Sequence, residues 1–242
     1  ALAIPAVIFA GISKAGSGSG AAFAASAILA LVLPPGIALS VMLPLLMLVD
    51  VAALPPYWRK WHAPYIRDLS IGAIPGVILG AAILTLVPAD AFRVLIGVIC
   101  LAFVAYQLSR SLGILKVRNW SYSTPAALAT GATAGFTSFV SHAGGPPVAV
   151  FMLGQGFSKT QYQATTVFVF WIINMLKFPP YAALGLFTKE TLLLALILSP
   201  FAVIGAKLGV IAHKWVTERQ FFALTYVLLV FTGVRLLWLG LS

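Results

Sequence analysis

The chain has 242 residues, of which 61% are apolar and only 8% are charged, against about 25% charged in a soluble domain. That composition leaves too little polar surface for solution and describes a polytopic membrane protein. The formal charge of +10 comes from 15 Lys and Arg against 5 Asp and Glu; it sits mainly in short loops between apolar runs, where it orients membrane helices and gives a nucleic-acid reading little support.

The first apolar region is interrupted. Residues 2–12 and 21–33 are apolar, and Ser13-Lys14-Ala15-Gly16-Ser17-Gly18-Ser19-Gly20 lies between them. With no initiator Met and no basic lead-in, residues 1–10 do not read as a signal peptide. Three runs of spanning length follow at 37–54, 70–87 and 91–112, separated by Pro34-Pro35-Gly36, by Trp58-Arg59-Lys60-Trp61-His62 and by Pro88-Ala89-Asp90. Cys100, the single cysteine, forms no disulfide within the chain and reads as a packing residue.

After a polar linker at 113–123 the pattern begins again. Residues 125–140 and 148–153 are apolar and flank Ser141-His142-Ala143-Gly144-Gly145-Pro146-Pro147; spans at 160–186, 191–213 and 219–241 complete the chain. The pieces of both interrupted regions are shorter than the roughly 20 residues a crossing needs, which predicts broken helices or re-entrant hairpins. At an offset of 124, Gly11 falls on Gly135, Gly20 on Gly144, Asp50 on Asn174, and Pro55-Pro56-Tyr57 on Pro179-Pro180-Tyr181.

The expected fold is therefore all-α. A first repeat covers 1–112 (broken element 1–33), and a second covers 124–242 (broken element 124–154). If each broken element returns to its starting side, the repeats are inverted, and the basic loops at 59–67, 110–118 and 213–219 then share one face. The positive-inside rule favours that arrangement, with the linker cytoplasmic and both termini outside.

In the inverted arrangement the two interrupted tips meet near mid-membrane, where helix ends offer unpaired amides to a small anion. Gly16, Gly18, Gly20, Gly144 and Gly145 allow close backbone approach, and Ser13, Ser17, Ser19, Ser138 and Ser141 offer hydroxyls. The same small residues also pack helices tightly. Lys14 reads either as a counter-charge to the anion or as a side chain snorkelling to the interface. His142 reads as a coupling-proton carrier, a donor to the anion, or a packing histidine. Asp50 needs a partner at its depth, with Lys14 one choice or a proton relay the other. Asn174 matches it in depth as an anion contact or a helix–helix hydrogen bond, Lys177 lies one turn further on as a proton-coupling candidate, and Gln155 and Gln163 sit toward the inner mouth. No nucleophile elbow, His-Glu-x-x-His zinc motif or nucleotide loop is present in the sequence.

These residues resemble the TauE/SafE family of sulfite and organosulfonate exporters across essentially the whole chain. The likeness rests on Gly11-Ile-Ser-Lys-Ala-Gly-Ser-Gly-Ser-Gly20, on His142-Ala-Gly-Gly-Pro-Pro147, on the Trp58-Arg59-Lys60 loop, and on the Gly76–Gly80 and Gly205–Gly209 segments. The resemblance implies an inner-membrane carrier, not an enzyme, moving small anions such as sulfite or sulfoacetate, usually outward. Ser17 and Ser19 interrupt the tighter glycine run often seen in the family. Alternating access then places the anion between the tips while the two halves rock, with lipid as surroundings and no cofactor; the sequence does not set the oligomeric state. The rival readings are a cation or metal carrier using Asp50, His142 and Asn174, and an intramembrane enzyme using Ser141 and His142.

Overall fold

The computed structural model describes residues 3–16, 23–114, 121–212 and 218–242. Among the described residues there are ten α-helices and no strand: α1 (Ala3–Gly16), α2 (Phe23–Val32), α3 (Pro35–Ala53), α4 (Ala63–Leu86), α5 (Ala89–Ser111), α6 (Thr124–Ser141), α7 (Gly145–Leu153), α8 (Lys159–Ala183), α9 (Lys189–Ala212) and α10 (Glu218–Leu241). Helices α3, α4, α8, α9 and most of α5 are long and apolar enough to cross a bilayer. Each interrupted region contributes a pair of short helices, α1 with α2 and α6 with α7.

Polarity is distributed inside out relative to a soluble protein. Asp50, Lys177, Gln163 and Asn174 are buried, while Ile74, Ile78, Leu79, Leu193, Leu196, Phe231 and Trp238 are exposed. Lipid solvates that apolar exterior, and helices satisfy their own backbone groups within it. Pro44, Pro75, Pro179, Pro180 and Pro200 lie inside helices, where each removes one ladder bond that neighbouring helices must offset.

Several boundaries differ from the sequence reading: α4 starts at Ala63 rather than at 70, so Arg67 is helical, α8 ends at Ala183 rather than at 186, and both interruptions are redrawn. Helix α1 runs through Ser13, Lys14 and Gly16, so these three are helical rather than part of a non-helical tip; Ser17, Gly18, Ser19 and Gly20 lie outside the described residues. In the second region the break narrows to residues 142–144. His142 adopts a left-handed conformation (φ 57°) as the C-cap of α6, and Gly145, Pro146 and Pro147 begin α7. Proline is well suited to a first helical turn because the N–H it lacks has no intrahelical partner there. A Cβ placed on Gly144 would lie 2.9 Å from the Ala134 carbonyl oxygen, so the chain doubles back along α6.

Glycine sets the closest helix pairs. Gly205 abuts Ile8 and Gly209 abuts Ile12, so α1 and α9 run parallel. In the same way Gly131 meets Leu69 and Gly135 meets Ala73, so α4 and α6 also run parallel. Helices α5 and α10 run antiparallel, since Gly97 meets Gly233 whereas Gly240 meets Asp90. Helices α3 and α8 do the same: the His62 amide after α3 reaches Thr165 early in α8, and Gly36 at the start of α3 faces Leu186 beyond the end of α8. Helices α1 and α9, and α4 and α6, belong to different halves of the chain, so the halves interdigitate.

A Cβ at Gly11 would lie 2.7 Å from the Ala206 amide nitrogen and 2.8 Å from the Ala202 carbonyl oxygen. Neither backbone atom can move without displacing α9. Gly11→Leu is expected to cost about 3 kcal/mol or more, read as a lowered Tm and loss of monodisperse protein in detergent. Gly36→Ala, whose new methyl would meet only the Leu186 side chain at 3.6 Å, is expected to stay within about 0.5 kcal/mol of the parent.

Candidate functional site

The buried polar groups converge where α1, α3, α6 and α8 meet. Lys14, in the last turn of α1, reaches the Asp50 carboxylate on α3 at 2.7 Å and donates a second bond to the Leu46 carbonyl at 3.2 Å. The same carboxylate oxygen, Oδ2, accepts 2.8 Å from Asn174 Nδ2 on α8. Residues 50 and 174 are therefore counterparts at the 124-residue offset and also touch one another. Asp50 is fully buried, and its Oδ1 has no hydrogen-bond partner among the described residues.

A second group forms around Lys177, one turn beyond Asn174. Its ammonium donates to the Ser138 carbonyl at 3.1 Å, to Ser138 Oγ at 3.0 Å and to His142 Nδ1 at 2.8 Å. These bonds use all three donors of the ammonium. With Nδ1 accepting, His142 carries its proton on Nε2 and donates to the Leu39 carbonyl at 3.2 Å. Lys177 is 0% exposed, and among the described residues no carboxylate forms a salt bridge with it. The cluster thus brings two lysine side chains together with one carboxyl group.

Two tyrosines hold the ends of the interrupted helices. Tyr57 donates to the Ala15 carbonyl at 3.0 Å, and Tyr181 donates to the Phe139 carbonyl at 2.7 Å. Both pairs fall on the 124-residue offset and satisfy C-terminal carbonyls that α1 and α6 leave without intrahelical partners. Burial pushes the Tyr57 hydroxyl up to about 12, so it remains a donor at any physiological pH. The repeated Pro-Pro-Tyr triplet was the available signal for these latches, but nothing in it identified the acceptors.

The remaining candidates divide. Gln163 Nε2 donates to the Lys14 carbonyl at 2.9 Å, joining the cluster from α8. Ser141 turns its hydroxyl back to the Thr137 carbonyl at 3.1 Å; with His142 committed to Lys177 and Leu39, the two do not form a nucleophile–base pair. Gln155 stands apart, accepting from Tyr65 at 2.9 Å. Gly16 packs against Gly209 and Gly144 against Ala134 and Ser138, so both serve helix contact. Gly145 starts α7, and Ser13 is buried in α1. Among the described residues no three His, Cys, Asp or Glu side chains gather as metal ligands. Asp50 and His142 face different partners.

Removing one member of a buried ion pair strands the other, which costs about 3–5 kcal/mol, whereas removing both charges avoids that penalty. Lys14→Met is expected to destabilise by about that amount, and Lys14→Met/Asp50→Asn is expected to recover most of it. Thermal unfolding of the four proteins of the cycle in one detergent checks the pattern.

The family model described as sulfite exporter TauE/SafE matches residues 3–236. No curated protein and no solved structure matches the chain. With nearly its whole length covered, the chain belongs to the sulfite exporter TauE/SafE family.

Proposed function

We propose that the protein is a secondary transporter that exports a small sulfur-containing anion, such as sulfite, sulfoacetate or another organosulfonate, by alternating access. The observation that carries the anion reading is the buried Lys177 ammonium, which has three neutral acceptors and no salt-bridged carboxylate among the described residues. An ammonium at membrane depth is costly unless something negative shares its surroundings. In this reading a transported anion supplies that charge while bound, with Lys14, Ser138, His142, Asn174 and the amide ends of the interrupted helices as its proposed contacts. Ser13, Gly145 and Ser17 to Gly20 complete the proposed binding set, whereas Gly16, Gly144 and Ser141 shape it through the helix contacts described above.

Inverted repeats fit this reading, and the antiparallel courses of α3 against α8 and of α5 against α10 support them. The positive-inside rule then puts the linker on the cytoplasmic side of the inner membrane and the termini outside. Since α1 is packed on α9 and α4 on α6, the moving units draw helices from both halves. Membrane potential favours export of a monoanion from a negative-inside cell by about 2.3 kcal/mol per 100 mV. Asp50, His142 and Lys177 are the groups able to carry a coupled proton.

Proteoliposomes containing the parent or Lys177→Met, tested with sulfite, sulfoacetate, taurine and sulfate, decide the reading. Hydrogen bonds to a charged group are worth about 1.5–3 kcal/mol, so the variant is expected to transport sulfite at least about tenfold less well at subsaturating concentration. Parent vesicles that move none of the four solutes, or a variant as active as the parent, would overturn the proposal. Uptake of a divalent cation by the parent would favour the metal-carrier reading instead.

A further inference from the structure

A second polar feature lies away from the buried cluster. The loop after α3 supplies Arg59, Lys60, Trp61 and His62, and the start of α8 supplies Ser158, Thr160 and Gln161; together they line a cavity of about 540 Å³. No carboxylate is among its described lining residues. Arg59 sits at φ 60°, a left-handed conformation unusual for a side chain of its size, and among the described residues it forms no hydrogen bond or ion pair. The Lys60 ammonium is tethered at 3.0 Å to the Pro56 carbonyl.

Helix α8 opens on this cavity through its N-terminal turn. Ser158 and Gln161 close a reciprocal capping box there, and the positive end of the helix dipole adds to the charge of the side chains. The same stretch of α8 connects the cavity to the deep cluster. The His62 amide donates 3.1 Å to Thr165 Oγ1, the Trp61 ring packs 4.5 Å from Phe168, and Gln163 holds the Lys14 carbonyl. A mouth whose described lining is cationic, neutral polar and aromatic concentrates anions locally and raises their capture rate.

The geometry points to a peripheral binding site for a small oxyanion at this cavity, filled before the ion passes inward to Lys14 and Lys177. This rests on the anion-transport reading for its purpose, but not for its detection. The headgroup phosphate of an anionic lipid presents the same oxyanion chemistry, so the source must be separated by experiment.

Equilibrium binding of radiolabelled sulfate to the detergent-purified full chain reads the site directly. Arg59→Asn/Lys60→Gln removes both charges while keeping a residue at 59 that tolerates the left-handed backbone. At low salt the double variant is expected to bind sulfate at least about fivefold more weakly than the parent, and at about 0.5 M salt the difference should vanish through screening. Lys177→Met should keep the salt-sensitive component. In vesicles of purely zwitterionic lipid the double variant should raise the KM for sulfite about three- to tenfold at low salt. Equal low-salt sulfate binding by parent and double variant overturns the site. A difference that appears only in vesicles carrying phosphatidylglycerol assigns the cavity to a lipid headgroup and overturns the free-anion assignment. A parent that binds sulfate here yet moves no sulfite sinks the transport reading alone and leaves this site standing.

Discussion

Asp50 is the constraint around which the interior is organised. A carboxylate with no exposure, surrounded by apolar helices, has to find donors or lose its charge. It finds Lys14 on α1 and Asn174 on α8, so one oxygen fastens together three helices drawn from both halves. The Lys14 pair also fixes the rotation of α1 about its axis. That rotation turns its glycine face, Gly11 and Gly16, toward α9. Electrostatics at one point and close packing along a helix are thus consequences of one another.

The second basic group answers a different need. Among the described residues Lys177 is held by three neutral acceptors and by no carboxylate, whereas Lys14 lies in an ion pair with Asp50. In water that distinction would matter little; inside a membrane it is large. The two side chains are identical, and their surroundings differ.

The long spans were legible because lipid imposes a length, and runs of about 20 apolar residues can serve little other purpose. The interrupted regions were legible as interruptions but not in their extent. Pro146 and Pro147 read as breakers in a string of letters, whereas at the first turn of α7 they start a helix. Asp50 stood out as a lone deep carboxylate with Lys14 as a candidate partner, and that pair is formed; the added bond from Asn174 depends on helix rotation and crossing angle, which the sequence does not carry. The glycines Gly16 and Gly144 carried two meanings in the sequence, and the structure gives each a backbone neighbour. The stretch from Arg59 to His62 reads in the sequence as an orienting loop and a mark of family likeness, not as a pocket, because Ser158, Thr160 and Gln161 join it from a segment about 100 residues away, and nothing local announces that meeting.

The interlocking of α1 with α9 and of α4 with α6 bears on whether the chain can be divided. A polypeptide encoding only one half would leave α1 and α4 with their glycine faces bare, and tight backbone contact of this kind cannot be replaced by lipid tails. Such a half could regain those contacts only from a separate chain, so its assembly would depend on concentration. In one covalent chain the partner helices are always present.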